Sequence, residues 1–240
     1  MMRFSRTALL AALALLPGAR AAAQTVPSPY RHIETSQSIA VTAGYLFTDP
    51  EVTLTDSTSA ELGHRSAPVV GLRYQLRASG PLSIEFSAAV SPGERNLYGP
   101  AYNADSTVVT AEDLGVAVPS TIVMGDVGLK FNLTGARTWN GLAPYFSAAG
   151  GIVGDIRGTL PEEREADIPA TARFRFGPAF AVGGALGTDW FPNRRTSLRL
   201  EAQGRLWRMR TPSGLLTNRN ADQREWNPVV GLTLGAAFHF

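Results

Sequence analysis

The stretch VGLRYQLRASGPLSIEFSAAV, residues 70–90, decides the fold. On one parity stand Val70, Leu72, Tyr74, Leu76 and Ala78; between them stand Gly71, Arg73, Gln75 and Arg77. Beyond Ser79-Gly80-Pro81 the alternation resumes, with Leu82, Ile84, Phe86, Ala88 and Val90 set against Ser83, Glu85, Ser87 and Ala89. An apolar residue at every second position puts one face of a strand on an apolar medium and the other on a polar one. The Gly-Pro break supplies the chemistry of a tight turn, so the stretch predicts a β-hairpin.

The same period runs outward in both directions. Leu198, Leu200, Ala202, Gly204 and Leu206 oppose Arg199, Glu201, Gln203 and Arg205. Val127, Leu129, Phe131 and Leu133 oppose Asp126, Gly128, Lys130 and Asn132, and Val230 to Phe240 repeats the pattern at the C-terminus. Residues 39–47, 144–153 and 180–190 also read as strands, though rich in small residues and weaker in facial contrast. Eight strands result. Their connections alternate between long (48–67, 91–120, 154–178, 210–227) and shorter (79–81, 134–142, 191–196), as in barrels with external loops on one side and short periplasmic turns on the other. A ten-stranded variant stays open, because 91–120 and 154–178 could each hold part of a hairpin and 106–110 is strand-like.

Two alternatives lose ground on charge and length. Residues 1–23 combine Arg3 and Arg6, the apolar run Ala8–Leu16, a Pro17-Gly18 break and small residues before Gln24, which is the pattern of a secretory signal peptide. That run is far shorter than the roughly 20 residues a spanning helix needs. Residues 24–240 then form one domain carrying 19 basic against 20 acidic side chains, mixed in sign throughout, which speaks against a nucleic-acid surface. The absence of cysteine excludes disulfides, thiolate metal sites and a cysteine nucleophile. A soluble sandwich would place many Lys and Glu on its watered face, whereas the polar parity here mixes Arg with acids, Gly and Ser, as a narrow lumen does.

The final residues, Thr233, Leu234, Gly235, Ala236, Ala237, Phe238, His239 and Phe240, read polar, any, Gly, any, any, aromatic, any, aromatic. This resembles the terminal assembly signal of bacterial outer-membrane barrels, carried here by Thr233, Gly235, Phe238 and Phe240. The chain resembles the small outer-membrane barrel family that includes the OmpA barrel and OmpX, at the level of architecture and terminal motif. The resemblance implies an all-β, eight-stranded antiparallel transmembrane barrel in the outer membrane. It also implies the barrel assembly machinery, periplasmic chaperones and outer-membrane lipids as partners, with a monomer expected. The peptidoglycan-binding domain of full OmpA-type chains is not expected after the barrel.

Inward-facing polar parities gather Arg73, Arg77, Glu85, Asp126, Lys130, Arg199, Glu201 and Arg205, five positive and three negative, with Asp189 as a further candidate. Eight strands enclose a space that side chains can fill, so a salt-bridged plug is expected in preference to an arginine-lined filter. Trp139, Trp190 and Phe191 near the periplasmic turns, and Phe174, Phe176, Trp207 and Trp226 near the external loops, suggest two aromatic girdles. His64-Arg65-Ser66 has a His-x-Ser spacing that resembles outer-membrane lipid A deacylases, yet it falls in a loop with no acid partner; a solvated histidine is expected there. The acidic groups Asp49, Glu51, Asp56 and Glu61, and Glu162, Glu163, Glu165 and Asp167, are expected to be solvated. The expected function is a non-enzymatic envelope component needing no cofactor or metal. A narrow pore for small or amphipathic solutes is the alternative, and a lipid-modifying enzyme a more distant one.

Overall fold

The structure is a computed structural model that describes residues 28–55, 58–102, 104, 108–158, 160–215 and 224–240. The signal peptide and Asp56 lie outside the described residues. Eight long strands form the wall: β2 (Gln37–Thr48), β5 (Ala67–Ser79), β6 (Leu82–Tyr102), β7 (Val108–Asn132), β9 (Leu142–Asp155), β10 (Ala179–Trp190), β11 (Thr196–Arg210) and β12 (Arg224–His239). Each pairs antiparallel with the next, and β12 returns to β2 in the register Phe238↔Ile39, closing the ring. Closure pairs the sheet edges with each other, the only strand arrangement that leaves no backbone group unsatisfied in hydrocarbon. Among the described residues there is no ninth or tenth wall strand.

Four short strands decorate the ends. β1 (Tyr30–His32) pairs with β8 (Arg137–Trp139) beside the periplasmic turns, and β3 (Glu51–Thr55) pairs with β4 (Thr58–Glu61) in the first external connection. The alternation of residues 70–90 translates directly into position: Val70, Leu72 and Phe86 face outward, while Arg73, Ser83 and Glu85 are buried inside. Val127, Leu129, Leu198, Leu200, Leu232 and Leu234 lie on the same outer surface. An apolar exterior around a charged interior inverts the pattern of a soluble protein and fits a lipid surround. No described helix is long and apolar enough to cross a membrane.

The largest departure from expectation lies in residues 91–120, read above as a loop. There β6 and β7 remain paired as far as Tyr102↔Val108. The β5–β6 ladder stops at Val70↔Val90 and the β7–β9 ladder at Ile122↔Asp155. Beyond those points each strand needs only one neighbour, so Pro92, Pro100 and Pro119, which suggest a loop in the sequence, are tolerated. The twelve residues Ser91–Tyr102 carry the hairpin about 40 Å along its own axis at about 3.3 Å per residue. Among the described residues the Pro-rich stretch 154–178 forms no such hairpin; it holds one short helix, α1 (Pro161–Glu165).

Candidate functional site

The inward parities of β5, β6, β7, β10 and β11 meet in one ion-paired belt. Arg73 donates through Nη1 to Glu85 Oε1 at 2.9 Å and to Glu201 Oε2 at 2.8 Å, and through Nη2 to Glu201 Oε1. Arg199 donates through Nε to Asp189 Oδ1 at 2.9 Å and through Nη1 to Glu85 Oε2 at 2.8 Å. Lys130, fully buried, donates to Asp189 and to Gln75, with its ammonium 4.0 Å from the centre of the Tyr145 ring. Above these, Arg205 donates to Asp126 at 2.6 Å, and Ser87 donates to the same carboxylate oxygen.

Two of the expected memberships change. Arg77 is not part of the belt: it sits at the periplasmic end and donates to the carbonyl of Ile33 at 2.6 Å. Asp189 is a full member, with two cationic partners. The belt and the Arg205–Asp126 pair together thus hold four cations and four carboxylates, a balance that the five-to-three count from parity alone does not have. Balance matters because an unmatched charge in a packed interior costs several kcal/mol, whereas matched and hydrogen-bonded charges are tolerated.

Tyr145 escapes sequence reasoning. It projects inward from β9, whose parity contrast is weak, and donates to Glu201 Oε2 at 2.7 Å. The small residues that blur the contrast in β9 and β10 make room for large neighbours. A Cβ on Gly187 would stand 2.5 Å from the Tyr145 hydroxyl, so only glycine fits while that ring fills the lumen.

Above the belt the lumen becomes apolar. Leu46, Val153 and Val229 from the wall pack with Leu160, Ile168, Phe174, Phe176 and Leu215 from the external connections in one core. Phe176 lies 5.6 Å, centre to centre, from Trp207. Phe174, Phe176 and Trp207 are therefore plug residues and not members of an outer girdle. Their inward position follows from the apolar mouth, which gives aromatic rings a dry site away from the lipid. The outer girdle is made by Phe47, Phe180 and Trp226, and the periplasmic one by Trp139, Trp190, Phe238 and Phe240, all exposed on the outside.

Glu163, expected in a solvated acidic cluster, is buried between Arg95 at 2.7 Å and Arg175 at 2.9 Å. Burial alone would raise its pKa, but hydrogen bonds from Arg175 and Arg95 outweigh it and hold the carboxyl below its ordinary value. It fastens the β9–β10 connection to the long β6–β7 hairpin. His64 is likewise not solvated: its ring nitrogens lie 3.1 Å from Ser120 Oγ and 3.3 Å from Ser91 Oγ, and Ser120 donates to Asp155 at 2.8 Å. Burial pushes the His64 pKa down, against the attraction of Asp155. Ser66 bonds Thr48 instead, so the His-x-Ser spacing does not become a His–Ser pair in the structure.

At the periplasmic end, Ile33 N donates to Ala136 O and the N-terminal segment crosses beside the opening. Phe240 and Gln37 exchange two backbone hydrogen bonds. Of the terminal motif, Phe238 and Phe240 stack on the outer face with centres 6.3 Å apart, while Thr233 is buried on the inner face. A cavity beside the belt measures about 40 Å³, room for little more than a water or two. No group of three or more His, Cys, Asp or Glu side chains suited to a metal ion occurs among the described residues.

No protein-family model matches the chain, and no curated protein matches its sequence. Solved structures do. The outer-membrane protein OprG from Pseudomonas aeruginosa superposes with a TM-score of 0.51 at 14% identity, covering 86% of this chain and 97% of that one. Neisserial surface protein A gives 0.47 at 10% identity over 89% and 98% of the two chains, and outer-membrane protein W of E. coli 0.41 at 15% over 86% and 100%. The likeness to OprG is one of fold. Together with the apolar outer band, it gives this chain the fold of the small outer-membrane β-barrels.

Proposed function

Taking the fold of a small bacterial outer-membrane barrel as premise, we propose that the protein is a non-enzymatic surface component with a closed lumen. It serves envelope integrity or recognition through its external connections. The observation that carries this reading is the pairing of two barriers in series: a charge-balanced belt, and above it an apolar plug drawn from three external connections. A solute would have to break paired, desolvated charges and then displace packed side chains, and either step costs several kcal/mol. Outside the membrane, by contrast, the β6–β7 hairpin offers a long ordered arm, with Tyr102, Leu114 and Val116 exposed on it. The reading as a non-enzyme draws on the burial of His64, which keeps the imidazole away from any lipid.

Single-channel recording in a planar bilayer, on protein whose gel mobility shifts on heating, tests the proposal. Silence is expected from the wild type. Stable current steps that change with Arg73→Ala or Arg205→Ala would overturn it and put the function inside the barrel.

A further inference from the structure

On the outward parity of the described wall strands, positive charge gathers at one place. On β11 the outward parity runs Leu198, Leu200, Ala202, Gly204, Leu206 and then Arg208 and Arg210. On β12 it runs down from Arg224 through Trp226 and Pro228 to Val230. These three are the only arginines on the outward parity of the described wall strands. Register brings them together: Arg208 pairs with Trp226 and Arg210 with Arg224, while the β10–β11 ladder begins at Ala181↔Trp207, the neighbours of Phe180 and Arg208 in the chain. The Arg208 guanidinium lies 6.0 Å from the Trp226 ring centre, and Phe180 meets Trp226 edge to face at 6.5 Å.

Depth follows from strand geometry. Arg208 is ten residues beyond Leu198, and at about 3.4 Å per residue and about 40° of tilt this is about 26 Å along the membrane normal. The apolar band of an outer-membrane barrel is about 25 Å tall, flanked by aromatic residues. Phe180 and Trp226 therefore mark the outer interface, and the arginines stand at or just above the level of the lipid headgroups. Between the start of β10 and the end of β11 the wall opens into a groove of about 520 Å³, lined by Arg175, Arg208, Arg210 and Arg224 above Phe180. Guanidinium forks match the paired oxygens of a phosphate bidentately. Leu206 and Val230, exposed directly below, offer apolar surface for acyl chains.

We propose that this groove is a docking site for a phosphorylated glycolipid of the outer leaflet. Arg208, Arg210 and Arg224 hold its phosphate, and Phe180 and Trp226 pack against its sugar–acyl junction.

The test uses full-length protein folded in detergent and titrated with bisphosphorylated lipid A in mixed micelles, read by native mass spectrometry. Expected is an affinity at least about tenfold above that for the chemically dephosphorylated lipid. That preference should disappear in the triple variant Arg208→Gln, Arg210→Gln, Arg224→Gln and persist in Arg194→Gln at the opposite rim. All variants should keep the heat-dependent gel shift, since the substituted side chains are exposed. Equal preference for the two lipids, or a preference that survives the triple substitution, would overturn the proposal. Displacement of the lipid by equimolar inorganic phosphate would also overturn it, by making this a free-anion site.

Discussion

Replacing Arg73 by methionine removes one guanidinium and three hydrogen bonds from the middle of the belt. The two carboxylates it serves are not left equal. Glu85 keeps Arg199 at 2.8 Å, but Glu201 keeps only the Tyr145 hydroxyl at 2.7 Å. Without Arg73, two cations (Lys130 and Arg199) face three carboxylates (Glu85, Asp189 and Glu201) in a space closed to bulk water. Breaking a buried pair from one side costs about 3–5 kcal/mol, most of it the penalty of the stranded charge. Glu201→Gln alone is milder, about 1–3 kcal/mol, because Arg73 still holds Glu85 and the amide oxygen can still accept. The two changes made together restore charge balance, so the double variant should be less destabilised than the sum of the singles by about 2 kcal/mol or more. Urea unfolding of vesicle-inserted protein, followed by gel mobility, measures all four corners of the cycle. Additivity to within about 0.5 kcal/mol would refute the reasoning, since it would mean that water screens these charges and the lumen is wet.

Gly187→Ala should destabilise the barrel by about 1–3 kcal/mol in the same assay, because its Cβ would press on the Tyr145 hydroxyl at 2.5 Å and on the Leu200 backbone carbonyl at 2.7 Å. Gly125→Ala, where a Cβ meets nothing within 4 Å, should not; equal effects would dissociate Tyr145 from the role of space-filling hub. The lowered pKa of Glu163 has a definite sign. Its folded value lies below the unfolded one, so its contribution is complete above about pH 4.3 and fades as pH falls through the lower folded value. Hydrogen-exchange protection of residues 160–176, corrected for intrinsic rates, should decline over that window in the wild type. The Glu163→Gln protein should start less protected and show a flatter profile; identical profiles would exclude Glu163 as the fastening point.

The wall was legible in the sequence because lipid outside and charge inside force strict alternation where the barrel is narrow and polar, as in Arg73 to Arg77 and Arg199 to Arg205. Alternation fades wherever the lumen turns apolar. Leu46, Val153 and Trp207 face inward yet look outward-facing by hydropathy. Proline misleads in residues 91–120, because its penalty applies to strands with two neighbours and the hairpin strands have one. Partner choice was the least legible feature. Parity lists which charges are inside but not their height or angle around the ring, so Arg77 looks equivalent to Arg73. Glu163 and His64 are buried by contacts with residues 12 to 68 positions away, which no strand periodicity encodes.

The ring has one junction made by the first and last of its long strands, and neither strand contributes a charge to the belt. β2 turns Ser38, Ala40 and Thr42 inward, and β12 turns Thr233 and Ala237. That seam can therefore part or zip shut without stripping an ion from its own two staves. The strands on either side of it are β5 and β11, which carry Arg73 and Glu201. Their bond spans the junction like a clasp, joining residues 128 positions apart. During insertion the clasp can fasten only after the last strand has docked, so a sheet that fails to curl fully leaves Arg73 with Glu85 alone and Glu201 with no cationic partner, only the Tyr145 hydroxyl. An incompletely wound barrel is thereby marked as unfinished by its own electrostatics, and a finished one resists unzipping at the place where its backbone order is otherwise least supported by charge.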